Sequence, residues 1–132
     1  MCMPRMLDST ETRLIDVANT IIANTPNTNT IASAALSCDG QIFSGVNVYH
    51  FAGTCAEMVV VGVAGAHGAA VDLSRIVSVG DADRGVVNPC GRCRQVLRDL
   101  HPGIRVIVQG GASPPVTVGV DELLPYPYSN RS

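Results

Sequence analysis

An apolar stripe at helical spacing begins after the capping residues of Ser9–Thr12 and predicts a first helix of about 15 residues. Its members are Leu14, Val17, Ala18, Ile21 and Ile22. The helix should end near Asn24-Thr25-Pro26, because the residue before a proline avoids the helical region.

Shorter apolar runs further along the chain have the composition of strands. They are Thr30–Ser37, Gln41–Tyr49, Arg75–Gly80, Ile104–Val108 and Val116–Val120. Asp39-Gly40, between the first two runs, is a strong hairpin signal. The sequence therefore predicts five strands, the first two of them paired by a tight turn.

Two further helices and a helical turn complete the predicted elements. The segment from Cys55 to about Gly65 is apolar all round, and its β-branched residues would also suit a strand, but its length favours a buried helix. Asn88 as N-cap and Pro89 at the first helical position predict a third helix ending at His101-Pro102-Gly103. Asp121–Leu124 forms one helical turn before the tail.

The order of elements is helix, hairpin, then two helix–strand units. Strands joined by a helix are normally parallel with a right-handed crossover. We therefore expect an α/β fold, a three-layer α/β/α sandwich on a mixed five-stranded sheet, and one domain spanning residues 1–132.

Composition narrows the choice of partners. Charged residues make up 15% of the chain, against roughly 25% in an average domain, and apolar residues make up 46%. A small, charge-poor surface favours a homo-oligomer. The net charge is −2 and no basic run or apolar span is present, so we expect neither nucleic-acid binding nor a membrane segment.

The candidate chemistry lies in three of the five cysteines. Cys90 and Cys93 are three residues apart, share one helix face, and meet the positive end of the helix dipole, which favours thiolates. Cys55 opens another predicted helix. Cys2 and Cys38 are interpreted as free thiols, which suits a cytosolic protein.

Three thiol ligands without an evident fourth are typical of a catalytic zinc with an open position. His50, His67 and His101 have no ligand-like spacing to the cysteines. A closed structural zinc site and a redox Cys-Gly-Arg-Cys motif are the alternatives, but the redox interpretation leaves Cys55 and Glu57 unexplained.

Glu57 lies about 200° from Cys55 around a regular helix, so the two converge only if Cys55 lies where the chain enters the helix. Glu57 there could move protons beside the metal, and a solvated first-turn Glu is the alternative. The signature of zinc deaminases is a zinc ligand, one variable residue and a glutamate, followed later in the chain by Pro-Cys-x-x-Cys. Cys55-Ala56-Glu57 and Pro89–Cys93 fit the three-cysteine version of this signature.

The chain resembles the cytidine deaminase family, and within it the enzymes that act on blasticidin S. The stretches that carry the resemblance are Ala32–Ser37, Ile42–Phe51, Pro89–Leu97, Asp99–Ile104 and Glu122–Pro125. The resemblance implies a homotetramer with one Zn²⁺ per chain, held by Cys55, Cys90 and Cys93. It also implies hydrolytic deamination of a cytosine ring, with Glu57 moving the protons.

The resemblance also implies substrate contacts. Ordinary cytidine deaminases have Asn-Val-Glu-Asn where this chain has Asn47-Val48-Tyr49-His50, so the loss of a ribose-binding carboxylate favours blasticidin S over cytidine. Thr30, Asn47, Arg84 and Tyr128 match substrate-side positions, and Arg92 could damp the thiolate charge. The alternatives are a strand-end amide for Asn47, a surface arginine for Arg84, tail packing for Tyr128 and a solvated helix-face arginine for Arg92.

Overall fold

A mixed sheet of seven strands runs through the computed structural model, which describes residues 5–26, 28–68 and 72–129. The strands in chain order are β1 (Arg5–Met6), β2 (Ile31–Ser37), β3 (Ile42–Val46), β4 (Leu73–Gly80), β5 (Gly85–Val86), β6 (Arg105–Val108) and β7 (Val116–Gly119). Their spatial order is β1-β7-β6-β4-β2-β3, with β5 paired to the end of β4. Only the β4–β6 pair is parallel among the described strands.

Helices cover both faces of this sheet, as the sequence predicts for an α/β/α sandwich. They are α1 (Ser9–Ala23), α2 (Ala56–Ala66), α3 (Gly91–Leu100) and a short 3₁₀ helix (Val120–Leu123). Successive residues of a strand point to opposite faces, so Val77 and Val79 pack towards α1 while Ile76 packs with Val60 of α2 and Leu97 of α3. No helix in the described ranges is long and apolar enough to cross a membrane.

The first helix has the predicted length. At its start, the buried side chain of Glu11 is held by hydrogen bonds and an ion pair. Asp8 is the N-cap, and its carboxylate accepts a hydrogen bond from the backbone N–H of Glu11, whose own carboxylate accepts from the N–H of Asp8. Glu11 is fully buried and pairs with Arg75 at 2.8 Å. This capping box ties the start of α1 to β4.

The segment predicted as helix or strand after Cys55 is helical. Its residues Val60 and Ala64 are buried against the sheet. α2 approaches β3 closely at Gly45, where an added Cβ would lie 2.7 Å from Cγ1 of Val59. The absence of a side chain at Gly45 therefore sets how closely α2, and with it Cys55, lies against the sheet.

Two sequence predictions are corrected. The sheet has seven strands, because β1 and β5 are two-residue strands too short to give a periodic pattern. The third helix begins at Gly91 with Cys90 as N-cap, not at Pro89 with Asn88 as N-cap. Asn88 instead hydrogen-bonds the backbone of Gln109, which keeps the chain extended up to Cys90. The prediction for Cys2 lies outside the described residues.

We predict that Gly45→Ala lowers the free energy of unfolding by about 1–3 kcal/mol, because the new methyl group would overlap the short, β-branched side chain of Val59. Urea denaturation measures the change. Gly103→Ala is the matched control, because a Cβ at Gly103 meets no atom within 4 Å. An equal stability of the two variants would contradict the proposed close approach of α2.

Candidate active site

The N-termini of α2 and α3 meet at one edge of the sheet, and each begins at a cysteine. Cys55 caps α2 with φ −71° and ψ 153°, and Cys90 caps α3 with φ −71° and ψ 169°. Both residues therefore have extended backbone. The two thiols meet the positive ends of two helix dipoles.

The sulfur atoms of Cys55, Cys90 and Cys93 all lie within 4.8 Å of one another, and those of Cys55 and Cys90 are 3.9 Å apart. A tetrahedral zinc with Zn–S bonds of about 2.3 Å holds two sulfurs about 3.8 Å apart. Cys93 lies in the first turn of α3 and is fully buried, whereas Cys90 is exposed. The spacing suits one thiophilic ion.

The pKa shifts of the clustered thiols indicate that a cation would stabilise their thiolate forms. Burial raises the pKa of Cys93, and the negative charge of Glu57 raises it further. Burial also raises the pKa of Cys55, with the neighbouring Cys90 adding to the shift. Burial opposes ionisation of Cys90 as well, but hydrogen bonds, the first of them from the backbone N–H of Cys93, bring its pKa below the ordinary value. A bound cation would favour the thiolate form of all three.

Glu57 lies beside the sulfur cluster in the first turn of α2. Only 6% of its surface is exposed, and its Oε1 lies 3.9 Å from the sulfur of Cys93. Helix geometry predicts that the side chains of Cys55 and Glu57 converge only if Cys55 lies where the chain enters the helix. Cys55 is the N-cap of α2, so this condition is met. A buried carboxylate is thus placed next to the candidate metal position.

A cleft of about 360 Å³ opens in front of Cys55, Glu57 and Cys90. The other polar side chains in its lining are Asn47, Tyr49, His50, Thr54, Asn88 and Arg92. A cleft of this size has the volume of a typical small-molecule site. Arg92 lines the cleft and reaches towards Thr54, with Nη2 and Oγ1 3.5 Å apart, and its role near the thiolates stays a prediction.

Asn47 lines the cleft and is hydrogen-bonded to Thr30. The amide oxygen of Asn47 accepts hydrogen bonds from the N–H groups of Thr30 and Ile31 at 3.0 and 3.1 Å, and its Nδ2 donates to Oγ1 of Thr30 at 2.9 Å. Asn47 therefore makes the hydrogen bonds of a strand-end amide, and its substrate contact stays a prediction. Thr30 itself does not line the cleft, so its substrate contact stays a prediction.

Arg84 and Tyr128 are not brought to the cleft of this chain. Arg84 pairs with Asp81 at 2.9 Å and donates to the carbonyl of Thr30 at 2.8 Å. Tyr128 is 72% exposed, and its carbonyl accepts from Nε2 of Gln95. Both stay predictions as substrate residues.

Sequence reasoning assigned Asn88 to a helix cap, although its side chain lines the cleft. The sequence signal for a place at the cleft is the position of Asn88 directly before Pro89-Cys90, because Cys90 is a candidate metal ligand. Its hydrogen-bond partner, Gln109, could not be inferred from spacing because it lies 21 residues away. None of the three histidines joins the sulfur cluster within the ranges that the structure describes.

Comparison with known proteins identifies relatives with the same fold. No family model matches the chain. Blasticidin-S deaminase from Bacillus cereus is 30% identical over 115 residues, which cover 80% of this chain and 81% of that protein. Cytidine deaminase from Mycobacterium leprae is 26% identical with a TM-score of 0.75, over 89% of this chain and 99% of that one.

The chain belongs to the cytidine deaminase family. The cytidine deaminase from Burkholderia pseudomallei supports the same assignment, with 26% identity and a TM-score of 0.71 over 89% of this chain and 98% of that one. Both the resemblance stated from the sequence and the α/β/α fold class are confirmed, with the strand count corrected. The deaminase relatives and the three-cysteine group together support a hydrolytic, metal-binding enzyme.

We predict that this deaminase family member purifies with one zinc ion per chain, and that Cys55→Ser and Cys93→Ser lose it, because each removes one of three sulfurs that lie within 4.8 Å. Elemental analysis after dialysis measures the ratio. Cys38→Ser is the control, because Cys38 is an exposed thiol outside the cluster. Full metal retention in all three variants would contradict the assignment of the ligands.

Proposed function

We propose that the chain is a zinc-dependent aminohydrolase that converts the cytosine ring of blasticidin S into its uracil form and releases ammonia. The observation that carries the proposal is the placement of three thiol sulfurs and one buried carboxylate at the edge of a nucleoside-sized cleft. Family membership supports the reaction class, and the blasticidin-S deaminase relative supports the substrate.

The donor set supports zinc as the metal. Cys55, Cys90 and Cys93 offer three sulfur ligands, and no other His, Cys, Asp or Glu joins their group in the described residues. Three protein ligands leave one tetrahedral position open, which is the pattern of catalytic sites, whereas a structural zinc module would be closed by a fourth. Zinc, when bound, supplies the Lewis acidity that lets water lose a proton near neutral pH.

Glu57 is proposed to carry the protons. Its carboxylate accepts one proton as water adds to C4 of the ring, and it returns that proton to the ring. It next takes the proton of the new hydroxyl group at C4 and transfers it to the amino group, so that C4 becomes a carbonyl carbon, the C4–N bond breaks and ammonia leaves. One water is consumed for each ammonia released, and Glu57 ends the cycle in its starting form.

Charge around the ligands is balanced by this chain's own groups. Three thiolates and one Zn²⁺ sum to a net charge of −1, which would hold back ionisation of water at the site. The two helix N-termini at Cys55 and Cys90 and the guanidinium of Arg92 in the cleft lining offset it. The site is thereby kept able to ionise water.

Substrate choice is proposed to depend on Tyr49, which lines the cleft and is 70% exposed. A tyrosine hydroxyl is a weaker acceptor for ribose hydroxyls than a carboxylate, which is charged and has two acceptor oxygens. Asn47 and its hydrogen-bond partner Thr30 would also contact the substrate, and Arg84 would pair with a substrate carboxylate after releasing Asp81. Tyr128 would contribute from the C-terminal segment. Cytidine or deoxycytidine is the second candidate, supported by the solved cytidine deaminases.

We also propose a cytoplasmic homotetramer. Large apolar side chains are exposed on the single chain, among them Val48 and Phe51 near the cleft and Leu100 and Tyr126 elsewhere. Burying them against further copies would remove apolar surface from water. The four described cysteines are free thiols, which suits a reducing compartment. Analytical ultracentrifugation tests the tetramer.

We predict that Glu57→Gln lowers the rate of ammonia release by about 10²–10⁴-fold, because the amide keeps the size of the side chain but cannot accept and return protons. The zinc content should stay at the wild-type value, since Glu57 is not a ligand. Asp99→Asn, which changes an exposed acid on α3, should keep the wild-type rate. Undiminished ammonia release by Glu57→Gln would rule out this mechanism.

We predict that wild-type protein deaminates blasticidin S with a higher kcat/KM than cytidine or deoxycytidine. Tyr49→Glu should raise kcat/KM for cytidine about 10–100-fold, because a hydrogen bond to a charged group contributes about 1.5–3 kcal/mol. Tyr49→Phe is the control and should leave cytidine activity low. If the wild type prefers cytidine, the substrate proposal is wrong and the reaction class is unaffected.

A further inference from the structure

Cys90 differs from the other two candidate ligands in how its sulfur is held. Cys93 is fully buried within α3, and Cys55 is half-buried at the start of α2, whereas Cys90 is exposed ahead of its helix. Packing around an exposed side chain contributes little to its position. Apart from hydrogen bonds with the first turn of α3, the location of this sulfur therefore depends on the backbone of Asn88 to Cys90.

Asn88 fixes this segment from the upstream side. Its Nδ2 donates to the carbonyl of Gln109 at 2.9 Å, and its Oδ1 accepts from the N–H of the same residue at 2.8 Å. The side-chain amide thus pairs with a backbone peptide as a neighbouring strand would. Gln109 directly follows β6, so the pairing attaches the segment to the end of a sheet strand.

Arg94 fixes the same segment from the downstream side. Its Nε donates to the carbonyl of Pro89 at 2.8 Å, and its Nη1 donates to the carbonyl of Leu123 at 3.1 Å. Pro89 is the residue directly before Cys90, and Leu123 ends the 3₁₀ helix near the C-terminus. One guanidinium therefore bridges the ligand segment to an element 29 residues further along the chain.

We propose that Asn88 and Arg94 are positioning residues for the metal centre, acting through the Pro89–Cys90 peptide. They hold the sulfur of Cys90 at the distance from Cys55 that one metal ion requires. The inference rests on the proposed metal centre and adds two residues outside its ligand set. Asn88 lines the cleft, but both polar atoms of its amide are already engaged by Gln109, which favours positioning over substrate contact.

The expected loss of metal affinity follows from the positioning role of Asn88 and Arg94. Removing a group that orients a metal ligand typically weakens metal binding about 10–100-fold. Asn88→Leu keeps the approximate shape of the side chain and removes both hydrogen bonds. Arg94→Met removes both donors, whereas Arg94→Lys keeps a cation that can reach one of the two carbonyls and should restore part of the affinity.

The experiment measures the zinc Kd of the full chain by competition with a chromophoric chelator. The absorption spectrum of the Co²⁺-substituted protein reports the ligand geometry, and melting of the metal-free protein reports the fold. Arg98→Ala is the control for Arg94, because Arg98 is on the same helix and pairs only with the adjacent exposed Asp99 among the described residues. Asn24→Ala is the control for Asn88, because its amide bonds a helix carbonyl away from the cleft.

We expect weaker zinc binding and an altered Co²⁺ spectrum in Asn88→Leu and Arg94→Met, wild-type values in both controls, and partial recovery in Arg94→Lys. Wild-type affinity and spectrum in Asn88→Leu and Arg94→Met would overturn the inference, as would a lower melting temperature of the metal-free protein with unchanged affinity. A wild-type chain that binds no zinc would instead contradict the proposed function, so the two failures are distinguishable.

Discussion

The constraint that shapes the site is the free-energy cost of placing three thiols and a carboxylate within a few ångströms of one another. Cys55, Cys90 and Cys93 lie within 4.8 Å, and Glu57 lies 3.9 Å from the nearest of them. Burial and mutual repulsion raise the pKa of two of the thiols, so the cluster is costly to ionise without a positive charge among them. Two helix N-termini supply part of that charge, and a cation would supply the rest.

The sheet topology makes this convergence possible. β3 and β4 both run antiparallel to β2, so they point in the same direction, and the chain leaves both strands at the same edge of the sheet. α2 follows β3, and α3 follows β4 after the short β5 hairpin. The two helices therefore begin at one edge, as ligand sites of α/β folds usually require.

Sequence reasoning succeeded where the chemistry is local and failed where it depends on distant partners. The interval between Cys90 and Cys93, and the rule that Glu57 converges with Cys55 only at a helix entry, follow from helix geometry alone. The start of α3 was misplaced because Asn88 is satisfied by Gln109 and not by its own helix. β1 and β5 are held by pairing with β7 and β4, and two residues leave no pattern from which to infer this.

The residues that place the candidate metal ligands and the exposed residues that line the cleft belong to different parts of the chain. Cys93 and Glu57 are buried in regular helices. Gly45 lets α2 approach β3 closely, and the backbone of Gln109 hydrogen-bonds Asn88 just ahead of α3. Tyr49 and His50, by contrast, are exposed on the turn that connects β3 to α2, where only the Val48–Thr54 bridge constrains the described backbone as a strand pair. Surface turns tolerate substitution far better than packed helix ends do. A change in the exposed residues that line the cleft therefore requires little alteration of the scaffold, whereas a change in the candidate metal centre would require moving side chains that the helices and the sheet hold in place.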